Sequence, residues 1–364
     1  MIPYRAKQTR AQGERMGSAR RGLAGIAVGC ILFATGATMA SAQDAVADFY
    51  RGKTIQMLVG SSPGGGYDLY GRLVGRYMGR YIPGTPNIIV SNMSGAGSIV
   101  ATQHIAVAGA KDGTVMGAIF PGAIMEPLLG DRGKVKYDAQ KLSYIGSANN
   151  ELYVCIVRGD AGVTTFEEFL QRGILIGASA GGGSTRDFPM LLVTAFGANF
   201  KIVTGYPGST EILLAIEKGE VQGTCGVGWS TISVQRAQWL QSGFIKVIAQ
   251  EGTKSSPELD KANVPMAISF AKTTRQKQIL ELHYAPLAFG RPFVAAPEIP
   301  ADRLAALRAA FMKAMNDPDL RAEAGKLKLE IDPLDGQDVA ERIAAIFASP
   351  PEAIEEARAA IARK

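Results

Sequence analysis

The sequence predicts an α/β fold in which parallel sheets are covered by helices on both faces. Three observations predict it. From Lys53 onward one pattern recurs: a short apolar run, a glycine-rich turn, then a segment of helical periodicity. The apolar runs are short and nearly continuous, as in strands buried on both faces. Finally, strands alternate with helices instead of following one another, which favours parallel pairing.

The elements follow in order. "TIQMLVG" leads into "SSPGGG" and then "YDLYGRLVGRYMGRY", where Leu69, Leu73, Tyr77 and Tyr81 recur every four residues as on one helix face. "PNIIVSNM" leads into "SGAGS" and the helical "IVATQHIAVAG", and "GTVMGAIFPG" is another strand ending in glycine. After "ELYVCIV", Thr165 with Glu168 three residues on reads as a capped helix start. "ILIGASAGGGSTRD", "FKIVTGYPGSTE", "VQGTCGVG" and "FIKVIAQ" supply further strands, the first two running into glycine loops and helices. Past Pro300 the chain turns helical, with Leu304, Leu307, Phe311 and Met315 as an amphipathic stripe, then "DGQDVAERIAAIF" and "PEAIEEARAAIARK". These last helices are read as packing elements.

Residues 1–42 have another purpose. A basic stretch with Arg5, Lys7, Arg10, Arg15, Arg20 and Arg21 precedes the apolar "LAGIAVGCILFATGATM", and Ala40-Ser41-Ala42 follows. That order marks a cleavable secretory signal peptide cut after Ala42, with the periplasm as destination. Arg20-Arg21 gives only a faint twin-arginine signature, and Cys30 lies in mid-run, unlike a lipobox cysteine. The segment holds six of the 39 basic and one of the 33 acidic residues, so the remainder carries 33 against 32. A nearly neutral chain has no electrostatic footprint for nucleic acid. No later segment is long and apolar enough to span a bilayer. Cys155 and Cys225 remain; export permits a disulfide, but the simpler reading is two small buried apolar residues.

Four loops share one arrangement: a strand, then Gly, Ser or Thr, then a helix start. They lie at Ser61–Asp68, Ser94–Ser98, Ser179–Arg186 and Gly205–Thr210. A helix N-terminus offers unpaired N–H groups and partial positive charge, and glycine lets the backbone approach a ligand. One such loop is an ordinary capped turn; four, two in each half, suggest a ligand with negative charge at both ends. The loops lack the P-loop lysine, and Val100 occupies the third glycine position of a dinucleotide fingerprint.

Gly60-Ser61-Ser62-Pro63-Gly64 and Gly177-Ala178-Ser179-Ala180-Gly181 also fit the G-x-S-x-G pattern of serine hydrolases. Pro63 removes the N–H an oxyanion hole would need after Ser62. Ser179 with His283 survives as a remote hydrolase alternative. The two histidines and two cysteines have none of the usual metal spacings; no metal, cofactor or enzymatic activity is expected.

"PGGGYD", "NMSGAGS", "GASAGGGSTRD" and "VTGYPGSTE", in this order and spacing, resemble the tripartite tricarboxylate transporter substrate-binding proteins, also called the Bordetella uptake gene or Bug family. The resemblance runs from about Phe49 to the C-terminal helices. It implies a type II periplasmic-binding-protein fold, two Rossmann-like lobes with a ligand cleft between them and two crossovers. It implies a receptor that captures a small carboxylate, generally a dicarboxylate, and delivers it to a membrane transporter of one large and one small subunit. A signalling receptor of the same fold is the alternative. The expected contacts are Ser61, Ser62, Gly64, Gly65, Tyr67 and Asp68; Ser94, Gly95, Ala96 and Gly97; Ser179, Ala180, Gly182, Ser184, Thr185 and Arg186; and Tyr206, Gly208 and Ser209. Asn149 and Asn150 are further candidates for the cleft. Where many relatives have histidine and lysine, this chain has Arg186 and Pro207, so Arg186 would hold a distal carboxylate. Residues 43–150 plus 268–364 are expected to form one lobe and 151–267 the other, with crossovers near Glu151–Val157 and Ala262–Ser269. The receptor is taken as a monomer.

Overall fold

A computed structural model describes residues 44–364, apart from 62, 65, 131, 132, 134, 180–182, 207, 363 and 364. The expected signal peptide lies outside the described residues. Among those described, no helix is long and apolar enough to cross a membrane.

The chain builds two sheets. The first has six strands in the order β11-β4-β10-β3-β1-β2: β1 (Thr54–Val59), β2 (Asn87–Asn92), β3 (Val115–Ala118), β4 (Ser143–Ser147), β10 (Pro292–Ala295) and β11 (Leu334–Asp335). The second has five in the order β7-β6-β8-β5-β9: β5 (Tyr153–Arg158), β6 (Leu175–Gly177), β7 (Lys201–Val203), β8 (Gly223–Gly228) and β9 (Ile245–Glu251). Strands β1, β2 and β3 are mutually parallel, as are β6, β7 and β8, while β10 and β5 run against their neighbours. The all-parallel expectation therefore fails at β10 and β11 in the first sheet and at β5 in the second; β10 and β5 are the strands next to the crossings between sheets.

Both sheets bury both faces, because successive side chains point to opposite sides. In β1, Met57 and Val59 enter one core with the helices Gly66–Met78 and Ala301–Met315, while Leu58 enters another with Pro121–Leu129 and Gly336–Phe347. In β5, Cys155 and Val157 face Phe166, Leu191 and Ile279; Val154 and Ile156 face Ile212 and Ile216. The Thr165 capping box forms as the sequence predicts, its hydroxyl accepting from Glu168 N–H. Leu307, Phe311 and Met315 of the predicted stripe are fully buried. Helix Gly66–Met78 turns a different face inward: Tyr70, Leu73, Val74 and Met78 are buried, and Leu69 is not.

Two segments pass between the sheets. Residues 148–152 join β4 to β5, and residues 290–291 lead back into β10. Helix Thr274–Tyr284 still places Ile279, Leu280 and Tyr284 in the core of the second sheet. The passage back into the first sheet thus falls well beyond Ala262–Ser269. The two passages lie side by side, joined by Ala148 N–H to Arg291 O at 3.0 Å, Glu151 N–H to Leu287 O at 2.8 Å and Gly290 N–H to Asn149 O at 3.0 Å.

The helix Pro351–Ala360 touches both sides. Ala353, Ile354 and Ala357 enter a core of the first sheet, and Ala360 enters that of the second.

Cys155 and Cys225 stand on neighbouring strands with Cα atoms 3.9 Å apart and are joined by a disulfide. This departs from the reading of two free buried residues. The pairing depends on the antiparallel register of β5 and β8, which linear sequence does not display.

Candidate functional site

All four glycine loops lie at strand C-termini, and the topology turns them toward one another. The first follows β1, the second β2; both strands are parallel to β3, so their loops share one edge with Ser147 at the end of β4. The third and fourth follow β6 and β7, and share an edge with Gly228 at the end of β8. Tyr153, the first residue of β5, pairs with Gly228. The passage 148–152 therefore runs from the loop edge of one sheet to the loop edge of the other. Such an edge is where open α/β sheets hold ligands.

The first loop is fixed by Asp68, 2% exposed. Its carboxylate accepts from Gly64 N–H at 2.8 Å, Arg72 Nε at 3.0 Å and Asn92 Nδ2 at 2.8 Å. Burial alone would raise its pKa, but the hydrogen bonds from Arg72, Gly64 and Asn92 outweigh burial and hold it below the ordinary value. Asn92 also donates to Ser61 O at 2.9 Å. Asp68 thus braces the loop.

The second loop is exposed at Ser94, Gly95, Ala96 and Gly97 and anchored at Ser98. Ser98 is fully buried; its hydroxyl donates to Gly60 O at 2.8 Å and accepts from Phe120 N–H at 3.1 Å. A Cβ on Gly60 would lie 2.2 Å from that hydroxyl, so only glycine lets the ends of β1, β2 and β3 meet here. Gly95, Ala96, Gly97 and Ser98 all have positive φ, which turns the backbone out of the strand.

In the third loop, the Thr185 hydroxyl donates to Ser179 Oγ at 2.9 Å and accepts from Ser179 N–H at 3.2 Å. Ser184 opens the helix Ser184–Phe196 and donates to Gly226 O at 2.8 Å. Gly208 caps and Ser209 opens the helix Ser209–Lys218, with Tyr206 packed beside Gly177. Ser62, Gly65, Ala180, Gly182 and Pro207 lie outside the described residues.

Arg186 is placed elsewhere. Its guanidinium pairs with Asp187 at 3.1 Å and donates to Ile361 O at 2.6 Å and Ala362 O at 3.4 Å. It caps the end of the last helix, where cations complement the helix dipole. The charge expected to meet a distal carboxylate is thus engaged by Asp187 and this helix end.

A different cation stands between the loop edges. Arg291, beside the first passage, lies 2.8 Å from Glu151 through Nη2 and donates from Nη1 to Gly290 O at 3.0 Å. Its guanidinium carbon is 4.2 Å from the Tyr67 ring centre and 5.3 Å from that of Tyr70. Burial works against its charge, but Tyr67, Glu151, Tyr153 and Tyr70 together outweigh burial and raise its pKa. Tyr67 donates to Gly290 O at 2.9 Å and packs on Phe120; burial pushes its phenol up to about 12, so it remains a donor. Of the two asparagines, Asn149 is buried and Asn150 half-buried; Asn149 Oδ1 has no hydrogen-bond partner among the described residues. Sequence reasoning missed Arg291 and Glu151: no motif surrounds either, and they meet only because the two passages run together.

The hydrolase alternative loses its base. His283 donates from Nε2 to Ala357 O at 2.9 Å, and burial depresses its pKa to about 4, offset only partly by that carbonyl. Among the described residues, metal-ligating atoms gather only at Cys155, Cys225 and Glu251, within 4.8 Å of one another. The two sulfurs there are bonded together and offer no thiolate.

Two sheets whose loop edges are joined by paired passages define a two-lobed α/β architecture. The chain belongs to the tripartite tricarboxylate transporter family receptors, whose model matches residues 83–357. Members of this family are periplasmic solute-binding receptors and not enzymes. Among solved structures it is similar to a solute-binding protein of this family from Polaromonas, 19% identical, covering 84% of this chain and 98% of that one, TM-score 0.67. It is also similar to MatC from Rhodopseudomonas palustris with bound malate, 18% identical over 83% and 99% of the two chains, TM-score 0.58. A further R. palustris protein, with adipate, is 19% identical over 84% and 97%, TM-score 0.61. At these identities the likeness is one of fold. No curated protein matches the chain.

Proposed function

We propose that the protein is an exported receptor that captures a small dicarboxylate between its two loop edges. It then delivers this ligand, as a monomer, to a membrane transporter of one large and one small subunit. One observation supports the reading: four glycine loops, two on each sheet, follow the strand ends that the passage 148–152 connects, and a cation, Arg291, stands beside that passage. Each loop ends in a helix start or a turned-out backbone suited to anions. In this reading residues 1–42 are removed after Ala42 during export. Ser61, Gly64, Tyr67 and Ser94–Gly97 receive one carboxylate, with Ser62 and Gly65 in the same loop. Ser179, Ser184, Thr185, Tyr206, Gly208 and Ser209 close on the other, with Ala180 and Gly182. The malate and adipate bound by proteins of the same fold support a carboxylate ligand. Ligand bridging both edges favours a closed state through contacts absent from the open one.

The test is thermal unfolding of the exported protein against mono-, di- and tricarboxylates. A ligand at 100 times its dissociation constant stabilises by about 2.7 kcal/mol, a shift of several degrees. Dicarboxylates of one length should shift the midpoint and monocarboxylates should not. No shift with any acid, in protein that native mass spectrometry finds empty, refutes the proposal.

A further inference from the structure

The cleft cation is paired with an anion, and the pairing restricts what can bind. Arg291 and Glu151 lie on the two adjacent passages, with side chains 16% and 7% exposed and 2.8 Å between Nη2 and Oε2. Arg291 faces the first lobe: a Cβ on Gly66, at the start of the helix Gly66–Met78, would stand 3.7 Å from its Nη2. Glu151 faces the second: a Cβ on Gly228 would stand 3.2 Å from Glu151 Oε1, and close to Ser230 and Thr231. Tyr67 and Tyr70 cover the guanidinium and fix its plane. Of its five N–H donors, the Nε group is buried and has no hydrogen-bond partner among the described residues.

A carboxylate that docks on Arg291 therefore arrives within a few ångströms of a second, fixed carboxylate. In a partly desolvated cleft that repulsion is costly unless a hydrogen lies between the two. A ligand that carries its own donor on the carbon next to the carboxylate removes the conflict. Its carboxylate takes the guanidinium while its hydroxyl or ammonium donates to Glu151. We propose that Arg291 and Glu151 together select acids with a hydroxyl or ammonium donor at C2, and discriminate against the same acids without it. This rests on the reading of the cleft as a carboxylate site and adds the chemical class of the ligand.

The test compares matched pairs by calorimetry on the exported protein: malate and aspartate against succinate, and 2-hydroxyglutarate and glutamate against glutarate. The substituted acid should bind at least about tenfold tighter, the worth of one hydrogen bond to a charged acceptor. Glu151→Gln keeps the shape and removes the repulsion, so succinate and glutarate should gain affinity and the preference should fall below about threefold. Arg291→Gln should weaken both members of each pair by about a hundredfold. Melting curves of each variant establish that it is folded; the Glu151→Gln comparison does not depend on the Arg291 variant. Unsubstituted acids binding as tightly as substituted ones, or an unchanged preference in Glu151→Gln, overturns the selection rule while leaving the carboxylate site standing. If no acid of either kind binds the unaltered protein, the carboxylate reading fails and this one with it.

Discussion

The two loop edges are stiffened by different chemistry. On the first, side chains reach across from loop to loop: Asp68 and Asn92 bind the turn after β1 to the end of β2, and Ser98 ties that region to Gly60 and Phe120. On the second, Thr185 binds Ser179 within its own loop and Ser184 reaches Gly226 of β8, and the neighbouring strands of the sheet are fastened covalently at Cys155–Cys225. Beside the disulfide, buried Glu251 accepts from Gly226 N–H at 2.8 Å. The contrast teaches that a loop edge can be held at its rim or at its base. The first lobe fixes the loops themselves; the second fixes the platform from which its loops project.

The largest test of this contrast removes the covalent base. The double substitution Cys155→Ala, Cys225→Ala opens a loop spanning 70 residues of sequence, and should cost about 4 kcal/mol on a chain-entropy estimate. Hydrogen exchange should accelerate in β5, β8 and β9 and stay unchanged at residues 60–68. Equal acceleration in both lobes would mean that they open as one unit and that the contrast is false.

A smaller effect is expected at the rim. Asp68→Ala strands the donors of Gly64, Arg72 and Asn92 and should cost about 3 kcal/mol in urea unfolding. Because hydrogen bonds hold the folded pKa of Asp68 below its ordinary value, its contribution is present above the unfolded pKa and is lost as pH falls through the folded one. Ligand affinity should fall with the loop's order, whereas the cysteine variant, measured where it is folded, should keep it.

The smallest effect concerns pH. Burial raises the Glu251 carboxyl from 4.5 to about 8, and the Gly226 N–H only partly opposes this. The folded state holds a proton that the unfolded state has released, so stability from this group declines as pH rises from about 4.5 to about 8. His283 acts with the opposite sign: its folded value of about 4 lies below 6.5, so stability from it is lost as pH falls through that interval. The two slopes oppose each other below pH 6.5, and Glu251 alone acts above it. Glu251→Gln should therefore flatten the decline between pH 6.5 and 8 in denaturant titrations. An unchanged slope there would remove Glu251 from the account of the second lobe's base.

How much of this was legible in the sequence follows from how local each signal is. The glycine loops, the Thr165 cap and the stripe from Leu307 to Met315 rest on neighbouring residues, and each has its predicted place. Strands β4, β10 and β11 were not legible: none leads into a glycine loop, and β11 spans only Leu334–Asp335. Arg186 looked like a cleft cation because it follows a glycine loop, yet a helix distant in sequence claims it. Arg291, Glu151 and the disulfide depend on register and on two passages meeting side by side. No window of sequence contains that information.

The helix Pro351–Ala360 carries one more consequence, for the order of events in making the protein. It supplies walls to cores on both sheets and is translated after every strand. Neither lobe has a complete interior while the polypeptide is still growing, and apolar surface stays open until this segment arrives. Late completion delays premature collapse.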